Sequence, residues 1–131
     1  MKNFYKILRK KWAKLSNDKK YLTFNELTLP TSLSDVVNIN DINEIYLPLV
    51  KYLNIFIQNK KMVFCIKDNF VGLDSIQPPF IIGISGPVAV GKSTTARLLQ
   101  VLLMYCYPNL NVQLMTTDGF LYSNKELKKK D

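Results

Sequence analysis

Eight consecutive residues, 86–93, combine the residue types and the spacing that bind phosphate groups. They read Gly-Pro-Val-Ala-Val-Gly-Lys-Ser, which fits the pattern G-x-x-x-x-G-K-S. In such a loop the backbone N–H groups form a nest for anions, and the dipole of the following helix favours negative charge. We expect the Lys92 ammonium to reach the β- and γ-phosphates of ATP, and the Ser93 hydroxyl to coordinate the Mg²⁺ that bridges them. The predicted phosphate-binding residues are Gly86, Pro87, Val88, Ala89, Val90, Gly91, Lys92, Ser93 and Thr94.

The sequence on either side of this loop supports that interpretation. Residues 79–85 are apolar and rich in Ile, which predicts a buried parallel strand, and residues 93–105 predict a helix that Pro108 stops. A chance match is the alternative, because average composition places the four fixed residues by luck in roughly one chain of this length in a few hundred. Strand, glycine loop and helix in this order favour a true phosphate loop, in which Pro87 lacks one N–H donor.

A second group of polar residues follows a second predicted strand. Residues 111–115 alternate between apolar and polar, and Thr116, Thr117, Asp118 and Gly119 come next. Ligands of open α/β sheets bind outside the carboxyl ends of the strands, so we expect Asp118 to face the same crevice as the glycine loop. A carboxylate there can accept the proton of an acceptor hydroxyl or support Mg²⁺ through water. The alternative is an ordinary Asp-Gly turn.

These elements predict an α/β fold of the phosphate-loop kinase type, a parallel sheet with flanking helices, of which the chain holds about two strands. We expect residues 1–79 to form a helical N-terminal region and residues 80–131 to form the first, incomplete part of the kinase core. Apolar residues recur at helical spacing between Ile42 and Ile57, and Pro48 should kink or break that helix near Leu47.

Composition narrows the function classes. The formal net charge is +8, but eight of the eighteen Lys and Arg residues fall within the first twenty positions, so the excess forms no central groove. The chain has no histidine, and Cys65 and Cys106 follow no metal-binding or redox spacing, which indicates thiols of a reducing compartment. No run is long enough for a membrane span. Near the N-terminus, apolar residues around Trp12 alternate with lysines, so the helix either docks Trp12 on the core or binds a membrane.

The motifs resemble those of the bacterial type I pantothenate kinases. The likeness covers residues 86–97 (G-P-V-A-V-G-K-S-T-T-A-R), 116–122 (T-T-D-G-F-L-Y) and 44–49 (E-I-Y-L-P-L), and more weakly 12–15 (W-A-K-L). In the family's pattern a Ser stands where this chain has Pro87.

The resemblance implies ATP-dependent phosphorylation of pantothenate to 4′-phosphopantothenate, the first step of coenzyme A biosynthesis. It makes Lys92 and Asp118 the catalytic residues, with ATP and Mg²⁺ as cofactors, and it places Arg97 at a position for feedback binding of coenzyme A. It further implies a homodimer for the family and leaves the state of this chain open. From the cysteines, the charge pattern and the lack of a nucleic-acid motif we expect a cytoplasmic protein that binds neither nucleic acid nor membrane.

Two alternatives stay open at this stage. The chain could serve another small-molecule kinase with a phosphate loop, such as a relative of uridine kinase or phosphoribulokinase. It could also be a non-catalytic nucleotide-binding fragment, because family members continue beyond the position of Asp131 with the pantothenate pocket and most adenine contacts; on that ground we expect residues 1–131 alone to be inactive. A basic module for nucleic acid or membranes is the weakest interpretation, since charge gives affinity without specificity.

Overall fold

The computed structural model describes residues 4–16, 22–27, 29–30, 33 and 36–116. Their regular structure is helical. A short helix α1 (Arg9–Ala13) continues as a 3₁₀ turn (Lys14–Ser16), and a second short helix α2 (Ile39–Asp41) continues through a π-helical turn (Ile42–Tyr46) into the long helix α3 (Leu47–Val71). The glycine loop follows, helix α4 (Lys92–Cys106) is the last regular element described, and residues 107–116 continue beyond it.

The passage from α2 into α3 has causes in the sequence. Asn38 caps α2, because its side-chain oxygen accepts a hydrogen bond of 2.9 Å from the backbone N–H of Asn40. Pro48 lies in the first turn of α3, where a missing N–H is tolerated, and the π-helical turn lies directly before it. The predicted break at Leu47 is not seen: the π-helical turn runs directly into α3, and Pro48 takes a position in its first turn. Gly72 ends α3 with a left-handed φ of 70°.

The core lies where α3 and the turn before it pack against α4. Its fully buried side chains are Ile42 and Val50 on one side and Leu98 and Leu102 on the other. Burying an aliphatic side chain of this size contributes about 1.5–3 kcal/mol. These contacts attach α4, and with it the glycine loop, to the N-terminal region. The other buried members of this core are Leu22, Leu27, Leu47, Leu99 and Leu103.

Asn43 is a polar side chain inside this core, with every side-chain group in use. Its Oδ1 accepts a 2.7 Å hydrogen bond from the Leu22 N–H, and its Nδ2 donates to the carbonyls of Leu22 and Ile39, each at 2.9 Å. The Asn43 amide thereby both accepts a hydrogen bond from Leu22 and donates one to it, although the two residues are 21 positions apart in sequence. Asn43 fixes the segment around Leu22 against the π-helical turn.

The N-terminal helix docks through Trp12, as one of the two sequence hypotheses predicted. The indole N–H donates to the carbonyl of Ile45 at 3.0 Å, and the ring meets Tyr52 edge-on with 6.0 Å between centroids. The rest of the apolar stripe is not docked, since Phe4 and Leu8 remain exposed. Among the apolar residues of the stripe, Trp12 therefore provides the docking contacts that the structure describes.

The predicted sheet is not seen among the described residues. Residues 79–85 and 111–115, which we expected to be strands, have no regular secondary structure. A strand needs a neighbour for its N–H and C=O groups, and these two segments do not pair with each other or with a third described segment. Other bonds hold them: Lys60 Nζ donates to the Pro79 carbonyl at 2.9 Å, and Gln100 Nε2 to the Val112 carbonyl at 2.9 Å.

Replacing Asn43 tests the buried bridge. The substitution Asn43→Ala leaves the N–H and carbonyl of Leu22 without their side-chain partner inside the core. We expect the free energy of unfolding, measured by urea denaturation, to fall by about 1–3 kcal/mol. The matched control is Asn40→Ala at an exposed position of α2, for which we expect a change within about 0.5 kcal/mol. Equal losses for the two variants would contradict the assigned role of Asn43.

Candidate functional site

The glycine loop enters α4 through two left-handed residues. Ala89 has a φ of 61° and Gly91 a φ of 89°, and Gly91 occupies the capping position directly before Lys92. Gly91 carries no side chain to cap the helix, so the N–H groups of the first turn of α4 point toward the loop without an intrahelical acceptor. This backbone offers donors at the positive end of a helix dipole, which is the arrangement that binds phosphate.

Close packing at the start of the loop favours a glycine at position 86. A Cβ placed on it would lie 3.1 Å from Val90 Cγ1 and 3.8 Å from Lys92 Cδ. The lysine side chain therefore folds back over the backbone of Gly86. The spacing of the motif brings its first glycine and its lysine into contact.

The Lys92 ammonium is held over the loop by the loop itself. Nζ donates to the carbonyl of Gly86 at 2.8 Å and to the carbonyl of Pro87 at 2.6 Å. An ammonium has three donors, so it can turn one of them to a phosphate oxygen while it stays anchored. The contact between Lys92 and a phosphate group, which the sequence predicted, stays a prediction.

The other predicted residues of this region fall along the first turns of α4. Ser93 is exposed, Thr94 is half-buried, and Arg97 is exposed one turn after Ser93 on the same side of the helix. Within the described ranges Arg97 forms no ion pair, so its guanidinium points to solvent beside the loop. Its position is compatible with an anionic ligand that reaches beyond the loop.

A cavity of ≈ 200 Å³ adjoins the glycine loop on the side of the N-terminal region. Its polar walls come from both halves of the chain, namely Asn38, Asp41 and Tyr46 on one side and Thr94 and Thr95 on the other. Sequence reasoning missed Asn38 and Asp41. The nearest indication in the sequence was the family resemblance across residues 44–49, which includes Tyr46 but neither Asn38 nor Asp41.

Arg9 offsets part of the negative charge of Asp41, the carboxylate that lines this cavity. Arg9 donates to Asp41 at 2.7 Å and to Glu44 at 2.5 Å. Hydrogen bonding, first to Glu44 and then to Asp41, raises the pKa of Arg9, so its charge persists at every pH at which the protein is handled. Since Arg9 offsets part of their negative charge, a polyphosphate in the neighbouring loop meets less repulsion.

Asp118 lies outside the described residues, together with Thr117 and Gly119. Thr116, the last described residue, is exposed at the end of the segment that Gln100 binds. The predicted meeting of Asp118 with the glycine loop therefore stays a prediction. Among the residues that the structure describes there is no cluster of acidic or sulfur ligands for a metal, and no helix long and apolar enough to cross a membrane.

Loop, lysine and helix follow one another in the order of a phosphate loop. Comparison with known proteins indicates which class of protein carries them. No protein-family model matches the chain. The pantothenate kinase of Ligilactobacillus salivarius is 46% identical over 130 residues, which is 98% of this chain and 42% of the relative. The pantothenate kinases of Streptococcus equi subsp. zooepidemicus and Streptococcus pyogenes serotype M5 are 50% and 49% identical, each over 95% of this chain and 41% of their own length.

By this similarity the chain belongs to the pantothenate kinase family, as its motifs indicated. It spans about two fifths of the length of these relatives.

The left-handed turn at Gly91 can be tested with a matched pair of glycines. A Cβ added at Gly91 or at Gly83 would meet no atom within 4 Å, but only Gly91 has a positive φ. We expect Gly91→Ala to cost about 1–2 kcal/mol in loop conformation, and to weaken ATP binding about 5- to 30-fold in titration calorimetry. Gly83→Ala should bind ATP as the parent chain does. Unchanged affinity in Gly91→Ala would show that the left-handed turn is dispensable.

Proposed function

We propose that this chain supplies the phosphate-binding part of a pantothenate kinase that uses ATP and Mg²⁺ to phosphorylate pantothenate to 4′-phosphopantothenate. The observation that carries the proposal is the Lys92 ammonium, anchored on two loop carbonyls at the N-terminus of α4. The acceptor of the phosphoryl group, pantothenate, is inferred from the names of the relatives. The activity is that of a whole protein of this family, of which the chain spans about two fifths.

The described residues suit the donor half of this reaction. Backbone N–H groups of the loop and of the first turn of α4 bind the phosphates and fix their orientation, and Lys92 offsets the charge of the β- and γ-phosphates. The Ser93 hydroxyl, exposed beside them, is the ligand that this chain offers to Mg²⁺, which when bound neutralises the charge on the transferring group. The cavity beside Thr94 and Thr95 gives the nucleotide room beyond its phosphates.

The acceptor half is assigned by resemblance and position. Asp118 is the proposed catalytic carboxylate, two residues beyond Thr116, where it would orient the primary hydroxyl of pantothenate and accept its proton. Arg97 is the proposed contact for coenzyme A as a feedback inhibitor. We also propose a cytoplasmic location and no role in binding nucleic acid or membranes.

A second candidate is a nucleotide-binding unit that does not transfer phosphate by itself. It is favoured by one observation, namely that the chain matches only 41–42% of its relatives' length. Both candidates use the same loop, and they differ only in turnover. Kinases with a different acceptor, such as uridine kinases, are disfavoured by the names of the relatives.

The loop lysine provides the test of nucleotide binding. Charged hydrogen bonds contribute about 1.5–3 kcal/mol, so Lys92→Ala should weaken the binding of ATP by about 10- to 150-fold in titration calorimetry. The control is Lys61→Ala, an exposed lysine of α3, which should leave the affinity unchanged. Equal affinities for the Lys92→Ala variant and the parent chain would refute the assignment of the loop.

Phosphoryl transfer is tested with pantothenate and uridine as competing acceptors. The chain is assayed alone and mixed with the part of the Ligilactobacillus salivarius enzyme that lies beyond the matched region. We expect turnover of pantothenate only, abolished by Lys92→Ala, and lowered about 10²- to 10⁴-fold by Asp118→Asn with ATP affinity retained. Uridine turnover would overturn the acceptor, whereas ATP binding without turnover in either format would favour the second candidate.

A further inference from the structure

Arg9 makes two charged contacts that its own helix does not explain. Its Nη2 donates to Asp41 at 2.7 Å and its Nε donates to Glu44 at 2.5 Å, across 32 and 35 positions of the sequence. Arg9 is the first residue of α1, where the helix dipole disfavours a positive charge. The arginine therefore serves the elements that carry its partners, namely α2 and the π-helical turn.

The two carboxylates are neighbours that need a cation between them. Asp41 and Glu44 are three positions apart, so they lie close together on the helical surface and repel each other. The planar guanidinium of Arg9 binds both with separate N–H groups, which fixes their positions as well as their charge. Asp41 also lines the cavity to which Gly91 and Thr94 contribute from the other side. Arg9 thereby holds one wall of that cavity from outside it.

The charge of this group matters because the ligand proposed for the glycine loop is a polyanion. Without Arg9, two uncompensated negative charges would lie at the cavity beside the loop. The cavity is small, ≈ 200 Å³, so screening over about 8–10 Å is incomplete across it. The side chains of the three residues are between 38% and 49% exposed, and solvent weakens each interaction. We therefore expect effects of a few-fold on affinity.

Trp12 attaches α1 at a different place. Its indole N–H binds the Ile45 carbonyl at 3.0 Å and its ring meets Tyr52, and neither of these partners lines the cavity. Arg9, in contrast, is bonded to a residue of the cavity wall. The docking of α1 therefore has an apolar contact that is separate from the cavity and a charged contact that belongs to its wall.

We propose that Arg9 is a positioning residue for the nucleotide site, which acts through Asp41 and Glu44 and couples the docking of α1 to the occupation of the glycine loop. The proposal rests on the proposed binding of ATP by that loop. With α1 docked, the guanidinium holds the two carboxylates in place and offsets their charge, so the loop binds a polyphosphate more tightly. Coupling between two equilibria is reciprocal, so bound ATP favours the docked state of α1 by the same factor.

Titration calorimetry with ATP tests the electrostatic half of the proposal. Arg9→Met keeps an apolar stem and removes the guanidinium, and it should weaken ATP binding about 3- to 10-fold at low salt. In about 1 M salt, where the screening length is about 3 Å, the loss should shrink to less than about twofold. The matched control is Lys10→Met, which removes the same charge from an exposed neighbour and should change the affinity less than about twofold.

Neutralising the carboxylates distinguishes this role from a merely structural one. Adding Asp41→Asn and Glu44→Gln to the Arg9→Met variant removes the charges that Arg9 offsets, and it should restore the affinity for ATP to within about twofold of the parent chain. Loss of α1 docking alone would not be repaired in this way. Helix content by circular dichroism shows that all variants are folded.

Limited digestion with trypsin tests the reciprocal half. Cleavage after Lys10 and Lys11 requires local unfolding of α1, so saturating ATP should slow it about 3- to 10-fold in the parent chain. In Arg9→Met, ATP should leave the cleavage rate unchanged. Equal protection by ATP in the parent and in Arg9→Met would overturn the proposal.

The calorimetry separates failure of this proposal from failure of the proposed function. ATP binding that Lys92→Ala weakens and Arg9→Met does not would overturn the role of Arg9 alone. So would a loss in Arg9→Met that the two neutral substitutions do not repair. A parent chain that binds no ATP would refute the assignment of the loop, and the role of Arg9 with it.

Discussion

The apolar contact between the two long helices is the constraint on which the rest of this structure depends. Leu98 and Leu102 of α4 pack against Ile42 and Val50, and no water reaches these side chains. The glycine loop sits at the free end of α4, so its position relative to the N-terminal region is set by this contact. Lys92 can then be held over the loop beside a cavity whose far wall belongs to residues about fifty positions earlier. The glycine loop and the cavity beside it are thus brought together from two distant segments mainly by this apolar contact.

Two sets of polar interactions add to this apolar core. Asn43 bridges the Leu22 segment to the π-helical turn, and Arg9 bridges α1 to the carboxylates of Asp41 and Glu44. The first is buried, where a satisfied amide fixes one arrangement and an unsatisfied one is costly. The second is about half-exposed, where solvent weakens ion pairs, so it contributes more to charge balance at the cavity than to stability. Because it is buried, the Asn43 bridge contributes more to the stability of the fold than the half-exposed ion pairs of Arg9 do.

Local features of the site were predictable from the sequence, and longer-range ones were not. The motif located the loop, the start of α4 and the lysine, because these depend on residues within eight positions of each other. The docking of Trp12 on the core was one of two interpretations that the local pattern allowed. The break expected at Pro48 is absent, because a proline in the first turn of a helix leaves no intrahelical hydrogen bond unmade. The cavity wall at Asn38 and Asp41 did not, because no periodicity reveals which distant segment packs beside a loop. The sheet was expected from apolar runs, but a strand forms only beside a partner strand.

The two exposed apolar regions of this chain differ in what a binding partner would have to supply. Residues 79–85 leave both side chains and backbone groups without a strand partner, and a partner for them has to supply hydrogen bonds as well as apolar contact. The exposed apolar face of α3, which includes Ile66 and Phe70, has its backbone bonded within the helix, so it lacks only apolar contact. An unpaired extended segment needs backbone partners as well, whereas apolar side chains on a bonded helix do not. The two exposed apolar regions of this chain therefore differ in the backbone partners that they require, although both are rich in apolar side chains.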